Sequence, residues 1–144
     1  TSTPQENEGT DLLFHTNTES GKTDDVASNP EVNVSFQNAS GEWASVSGSA
    51  SIVTDRALIE KHYSPVLKAW LGDLGDGVHN GSANDPRIGI IRVRTDTVTY
   101  ALATKGLIRQ AVEVTQSAIQ GKPAQVNSLR EISEEEVKAW RAVH

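Results

Sequence analysis

The chain has 144 residues, 36% of them hydrophobic, and a formal net charge of -6 from 19 acidic and 13 basic residues. That length fits one domain with a real core, and an acidic balance without a basic run gives no electrostatic footing for nucleic acid. Zero cysteines exclude disulfides, thiolate catalysis and thiolate metal ligands.

No apolar run reaches membrane-spanning length and no signal-peptide pattern opens the sequence. The expectation is therefore a cytoplasmic protein with no membrane partner. Residues 1–10 are polar and aperiodic, which reads as a disordered arm or a loop remnant. Asp11 to Thr16 reads as a strand. It runs into hydroxyls, Gly21, Lys22 and Thr23, and then into a helix that Pro30 stops. Free backbone N–H groups at a helix start, beside a lysine and hydroxyls, suit a phosphate.

Two bottom-up readings of this turn stay open. One is a nucleotide P-loop, for which Gly21-Lys22-Thr23 supplies the second half but Thr16 stands where the first glycine belongs. The other is an ordinary strand-turn-helix with a solvated lysine.

Val32, Val34 and Phe36 alternate with polar residues, and Asn38 to Gly41 turns the chain into a second strand, Trp43 to Val53. Along that strand Ala44, Val46, Gly48, Ala50 and Ile52 share one face. Its small residues suit a tightly curved barrel or a close ligand. Thr54-Asp55 caps a helix over Arg56 to His62, and Ser64-Pro65 starts another, Pro65 to Leu71, expected to bury Val66, Leu67 and Trp70. Residues 72–87 form a glycine- and aspartate-rich loop without EF-hand spacing, and its single histidine, His79, makes no metal site.

Ile88 to Arg94 and Val98 to Leu102 read as a hairpin around Thr95-Asp96-Thr97. Leu107 to Ile119 carries one apolar helical face, a linker follows, and Ser133 to Glu136 is a capping box opening a terminal helix. The class expected is mainly β with α additions, organised as 1–10, a domain over 11–103, and a helical extension over 104–144.

In this order the elements resemble a known family. The run comprises the Phe14-x-Thr16-Asn17-x-x-Ser20-x-Lys22 turn, the helix ending at Asn29-Pro30, the Val32-x-Val34-x-Phe36 strand, the Ser45-Val46-Ser47-Gly48-Ser49-Ala50 strand and the Asp55-Arg56 helix. It is similar to the flavin-binding split β-barrel family of pyridoxamine 5'-phosphate oxidase, in the branch of bacterial general stress proteins and fungal blue-light-inducible proteins. The resemblance implies an FMN-binding homodimer, with a flavin-dependent oxidoreductase or a non-catalytic flavin or haem binder as its activity. It implies cofactor contacts at His15, Thr16, Ser20 and Lys22, and no metal.

Departures are legible too. Gly21 replaces the oxidase's arginine beside the phosphate lysine, Trp43 replaces a flavin-contacting glutamine, and Tyr100-Ala101 replaces a Tyr-Trp strand end. The family's first helix and two strands have no counterpart before Asp11, so the expectation is that these residues are part of a longer product.

Overall fold

A computed structural model describes residues 4–103 and 127–144. Their strands, β1 (Gln5–Glu6), β2 (Asp11–Asn17), β3 (Glu31–Gln37), β4 (Trp43–Val53), β5 (Ile88–Ala103) and β6 (Asn127–Ile132), form one sheet. The order is β1-β2-β5-β4-β3, with β6 also pairing β5. This path is open, not closed into a ring. The helices are α1 (Gly21–Ser28), α2 (Arg56–His62), α3 (Val66–Leu71) and α4 (Glu134–Val143), and among the described residues none is long and apolar enough to cross a membrane.

The chain divides into two compact units. The first comprises Thr1–Val32, Gly48–Thr95 and Arg141–His144. Within it β2 and β5 pair antiparallel, with Leu13 opposite Arg92, His15 opposite Ile90 and Thr16 opposite Gly89. Paired residues share a face and successive residues alternate. Leu13, Ile88 and Ile90 therefore lie on one side, where they join Ile59 of α2 and Leu67 of α3 in the core. Asp55 starts α2 by accepting a hydrogen bond from the Leu58 N–H at 2.8 Å, as an N-cap should.

In α3 only Leu67 is buried, while Val66 and Trp70 are 73% and 62% exposed. The expectation that all three are buried holds only for Leu67; Trp70, three residues on, shares its side of the helix and is nonetheless exposed. The loop after α3 is built on Asp85. Its carboxylate, fully buried, pairs with the Arg87 guanidinium at 2.7 Å and accepts from the Gly81 N–H at 2.7 Å.

The second unit comprises Asn33–Ser47 and Asp96–Trp140. Here the latter half of β5 pairs with β6, Val98 opposite Ile132 and Ala103 opposite Asn127. Asn33 bridges β3 to β4 through the hydroxyls of Ser45 and Ser47 at 2.8 and 3.1 Å. The capping box at α4 is reciprocal, with the Ser133 N–H donating to Glu136 at 2.8 Å and the Glu136 N–H donating back at 3.3 Å.

Three sequence expectations are corrected. The hairpin around Thr95-Asp96-Thr97 does not form, because β5 runs unbroken for 16 residues. Thr95 is buried and its N–H donates to the Thr10 carbonyl at 3.0 Å, so it continues the ladder instead of turning. The linker before the capping box contains β6. Gln5–Glu6, inside the segment read as an arm, pairs with Asp11 and Leu12. The helix expected over 107–119 lies outside the described residues.

Candidate functional site

The turn after β2 is organised on one carbonyl, that of Asn17. It takes the Ser20 hydroxyl at 2.7 Å, the Ser20 N–H at 3.1 Å, the Thr23 hydroxyl at 3.2 Å and the Thr16 hydroxyl at 3.4 Å. A carbonyl oxygen has two lone pairs, so four donors oversubscribe it. At least two of these protons are available to an outside acceptor at little cost. The Asn17 side chain fixes the turn by accepting from the Glu19 N–H at 2.9 Å, as asparagine does in such turns.

Next to this hub α1 begins. The Gly21 and Lys22 N–H groups have no protein partner among the described residues, because the first helical N–H groups face no carbonyl. Lys22 is exposed and makes no ion pair among the described residues. Free N–H groups, one ammonium and surplus hydroxyl protons make a donor set for a phosphate. Glu19, Asp24 and Asp25 stand close in sequence and oppose it. A monoanionic or dianionic group held here faces one cation among three carboxylates.

Of the four residues expected at the site, Thr16, Ser20 and Lys22 belong to this turn or its approach. Thr16 is buried, 5% exposed, on the face of β2 away from the core helices. His15 is on the other face, with Leu13 and Ile90. No ligand lying on one face of the sheet meets both side chains. Burial pushes the His15 imidazole below its ordinary range, and the neighbouring His62 pushes it further down. Its Nε2 is buried without a hydrogen-bond partner.

Sequence reasoning missed Asn17 and, outside the P-loop reading, Thr23. The signal was an asparagine closing a strand and followed within six positions by three more hydroxyl-bearing residues. The same geometry removes the P-loop. β2 stays in the ladder through Asn17, opposite Ile88, leaving only Thr18, Glu19 and Ser20 between strand and helix. A phosphate-wrapping loop needs the span that the strand occupies. Gly89 lets this turn sit close: a β-carbon there would fall 2.7 Å from the Thr18 methyl.

In the second unit an apolar groove of about 350 Å³ is lined by Phe36, Trp43, Tyr100 and Leu102, with Asn38 and Glu42 at its polar end. Trp43 is 37% exposed there. Among the described residues no group of histidines and carboxylates could hold a metal ion.

Comparison with known proteins places the chain. It is 61% identical over 140 residues to Protein bli-3 of Neurospora crassa, covering 96% of this chain and 67% of that one. The chain thus spans about two thirds of that relative's length. Among solved structures, a general stress protein 26 from Jannaschia sp. CCS1 superposes with a TM-score of 0.63 at 18% identity, covering 90% of this chain and 79% of the other. A protein from Xanthomonas citri, described as a general stress FMN/FAD binding protein, gives 0.51 at 22%, covering 62% and 58%. These likenesses show the split-barrel fold. Residues 2–125 match the family described as "Pyridoxamine 5'-phosphate oxidase like", and the chain belongs to that family.

Proposed function

We propose that this stress-protein relative binds FMN, with the cofactor's phosphate at the turn between β2 and α1. The observation that carries the reading is the oversubscribed Asn17 carbonyl beside the two free N–H groups and Lys22. Ser20 and Thr23 hydroxyls turn outward to the phosphate oxygens, the Gly21 and Lys22 N–H groups donate to them, and the ammonium offsets their charge. Thr16 lies at the approach, on the face away from α2. A bound flavin supplies hydride and one-electron chemistry, and the protein supplies binding and access. Family membership and the flavin-binding description of the Xanthomonas citri protein support the choice of a flavin.

The reading extends to a homodimer with flavin-dependent oxidoreductase activity in the cytoplasm. Exposed Phe36 and Trp43 beside the apolar groove support a partner chain. The deciding experiment is a visible absorption spectrum of the purified protein, with mass spectrometry of the released chromophore. A yellow protein releasing FMN is expected. A colourless protein that takes up no added FMN overturns the reading, and one that takes up haem instead favours the binding-protein alternative. Turnover with NADPH and an acceptor separates enzyme from binder.

A further inference from the structure

We propose that Arg92 and His15 form a binding site for a small oxyanion, a carboxylate or phosphate group, on the core-helix face of the β2–β5 ladder. Leu13 pairs with Arg92 and His15 with Ile90. Arg92 and His15 are thus diagonal neighbours on one face, about 7–8 Å apart along the backbone, within reach of long side chains. Each carries an orphan. Arg92 Nε and His15 Nε2 are the buried side-chain polar atoms without a hydrogen-bond partner among the described residues.

Buried donors without partners are rare because each forfeits its hydration for nothing. A guanidinium is the more telling case, since it is always charged and has five donors. Arg92 nevertheless makes no ion pair or hydrogen bond within the protein among the described residues. Asp11, a carboxylate on that face, lies diagonal to it and is already taken. Its Oδ2 accepts from Asn7 at 2.7 Å and its Oδ1 from Arg141 at 3.0 Å.

Lys61 and His62, in the last turn of α2, both converge on one oxygen of Glu6 at 2.6 and 2.9 Å, and His62 acts electrostatically on His15. Both Arg92 and His15 are only partly buried as residues, while the orphan atoms themselves are covered. An oxyanion there accepts from the Arg92 fork and from the Nε2–H tautomer of His15. This supplies both missing bonds and the missing charge. The site is independent of the flavin reading, because His15 and Thr16 point to opposite faces.

The test is imidazole-detected nitrogen NMR of the 144-residue chain, titrated with sodium phosphate or sodium acetate against chloride at matched ionic strength. The expected result is a saturable shift of the His15 Nε2 signal, with the His79 signal unmoved. The tighter of the two anions identifies the preferred class. Arg92→Leu should weaken the response at least tenfold, while Arg94→Leu, an exposed neighbour on the same face, should preserve it. An unmoved His15, or equal loss in both arginine variants, overturns the proposal and leaves water as the partner of these atoms. Should Arg92→Leu not fold, His15→Gln read by thermal shift decides. Retention of the full phosphate-induced rise in midpoint removes His15 from the site.

Discussion

A β-carbon added to Gly48 would lie 2.1 Å from the carbonyl oxygen of Arg94. No side chain can yield there, because the obstacle is the backbone of β5. Gly48→Ala should therefore push β4 and β5 apart and cost about 1–3 kcal/mol or more, as overpacking does. Urea unfolding measures it, and an unchanged midpoint would mean that the strands have slack there. The small-residue face read from the sequence has its explanation in this close approach.

Lys22→Ala should weaken FMN binding by an order of magnitude or more, using about 1.5–3 kcal/mol for a hydrogen bond to a charged group. Fluorescence quenching of added FMN reads the affinity. The converse variant is more discriminating. A β-carbon at Gly21 meets nothing within 4 Å, so Gly21→Arg has room and restores the charge that the oxidase carries beside its lysine. It should tighten binding severalfold, and no gain would separate the phosphate from the start of α1.

Asp85→Asn should be among the most damaging substitutions in the loop. It leaves the Arg87 guanidinium, itself 6% exposed, without its carboxylate, and breaking a buried pair from one side costs about 3–5 kcal/mol. Calorimetry of the variant checks this. A loss below about 1 kcal/mol would mean that water compensates the guanidinium.

His15 gives the protein a pH dependence with a definite sign. Its folded pKa lies below the ordinary histidine value because burial and then the His62 charge disfavour the cation. The folded state thus binds fewer protons than the unfolded chain. Stability is full above about pH 6.5 and is lost as pH falls through the depressed folded value. Denaturation midpoints across that window should fall, and His15→Gln should flatten the fall. An identical slope in the variant would assign the titration elsewhere.

Much of this architecture was legible in the sequence. Asp55 and Ser133 announced their helices through capping chemistry, and Val46, Gly48 and Ala50 announced a buried strand face by their alternation. What failed was tertiary in origin. Thr95-Asp96-Thr97 is polar enough to pass for a turn, but β-branched residues without glycine or proline also extend a strand, and the buried Thr95 with its Thr10 partner decided it. Leu129 and Ile132 alternate too weakly to signal β6, whose stability comes from pairing with β5. The placement of His15 followed from strand period alone, since adjacent residues cannot share a face. At the turn, spacing pointed to Ser20 and Lys22, but the convergence on the Asn17 carbonyl needed coordinates.

Arg141 donates to the Thr10 hydroxyl at 3.1 Å, to the Thr10 carbonyl at 2.9 Å and to Asp11 at 3.0 Å, across 131 and 130 residues of sequence. This ties the start of β2 to α4 across about 130 residues, a long loop closure. During synthesis, which proceeds from the N-terminus, the start of β2 emerges without this clamp and waits until Arg141 has been made. Asp11, buried in the finished protein, is a solvated carboxylate on the nascent chain until Arg141 arrives. A chain cut before Arg141 therefore carries the full β2 sequence with Asp11 unclamped, open to quality-control proteases there.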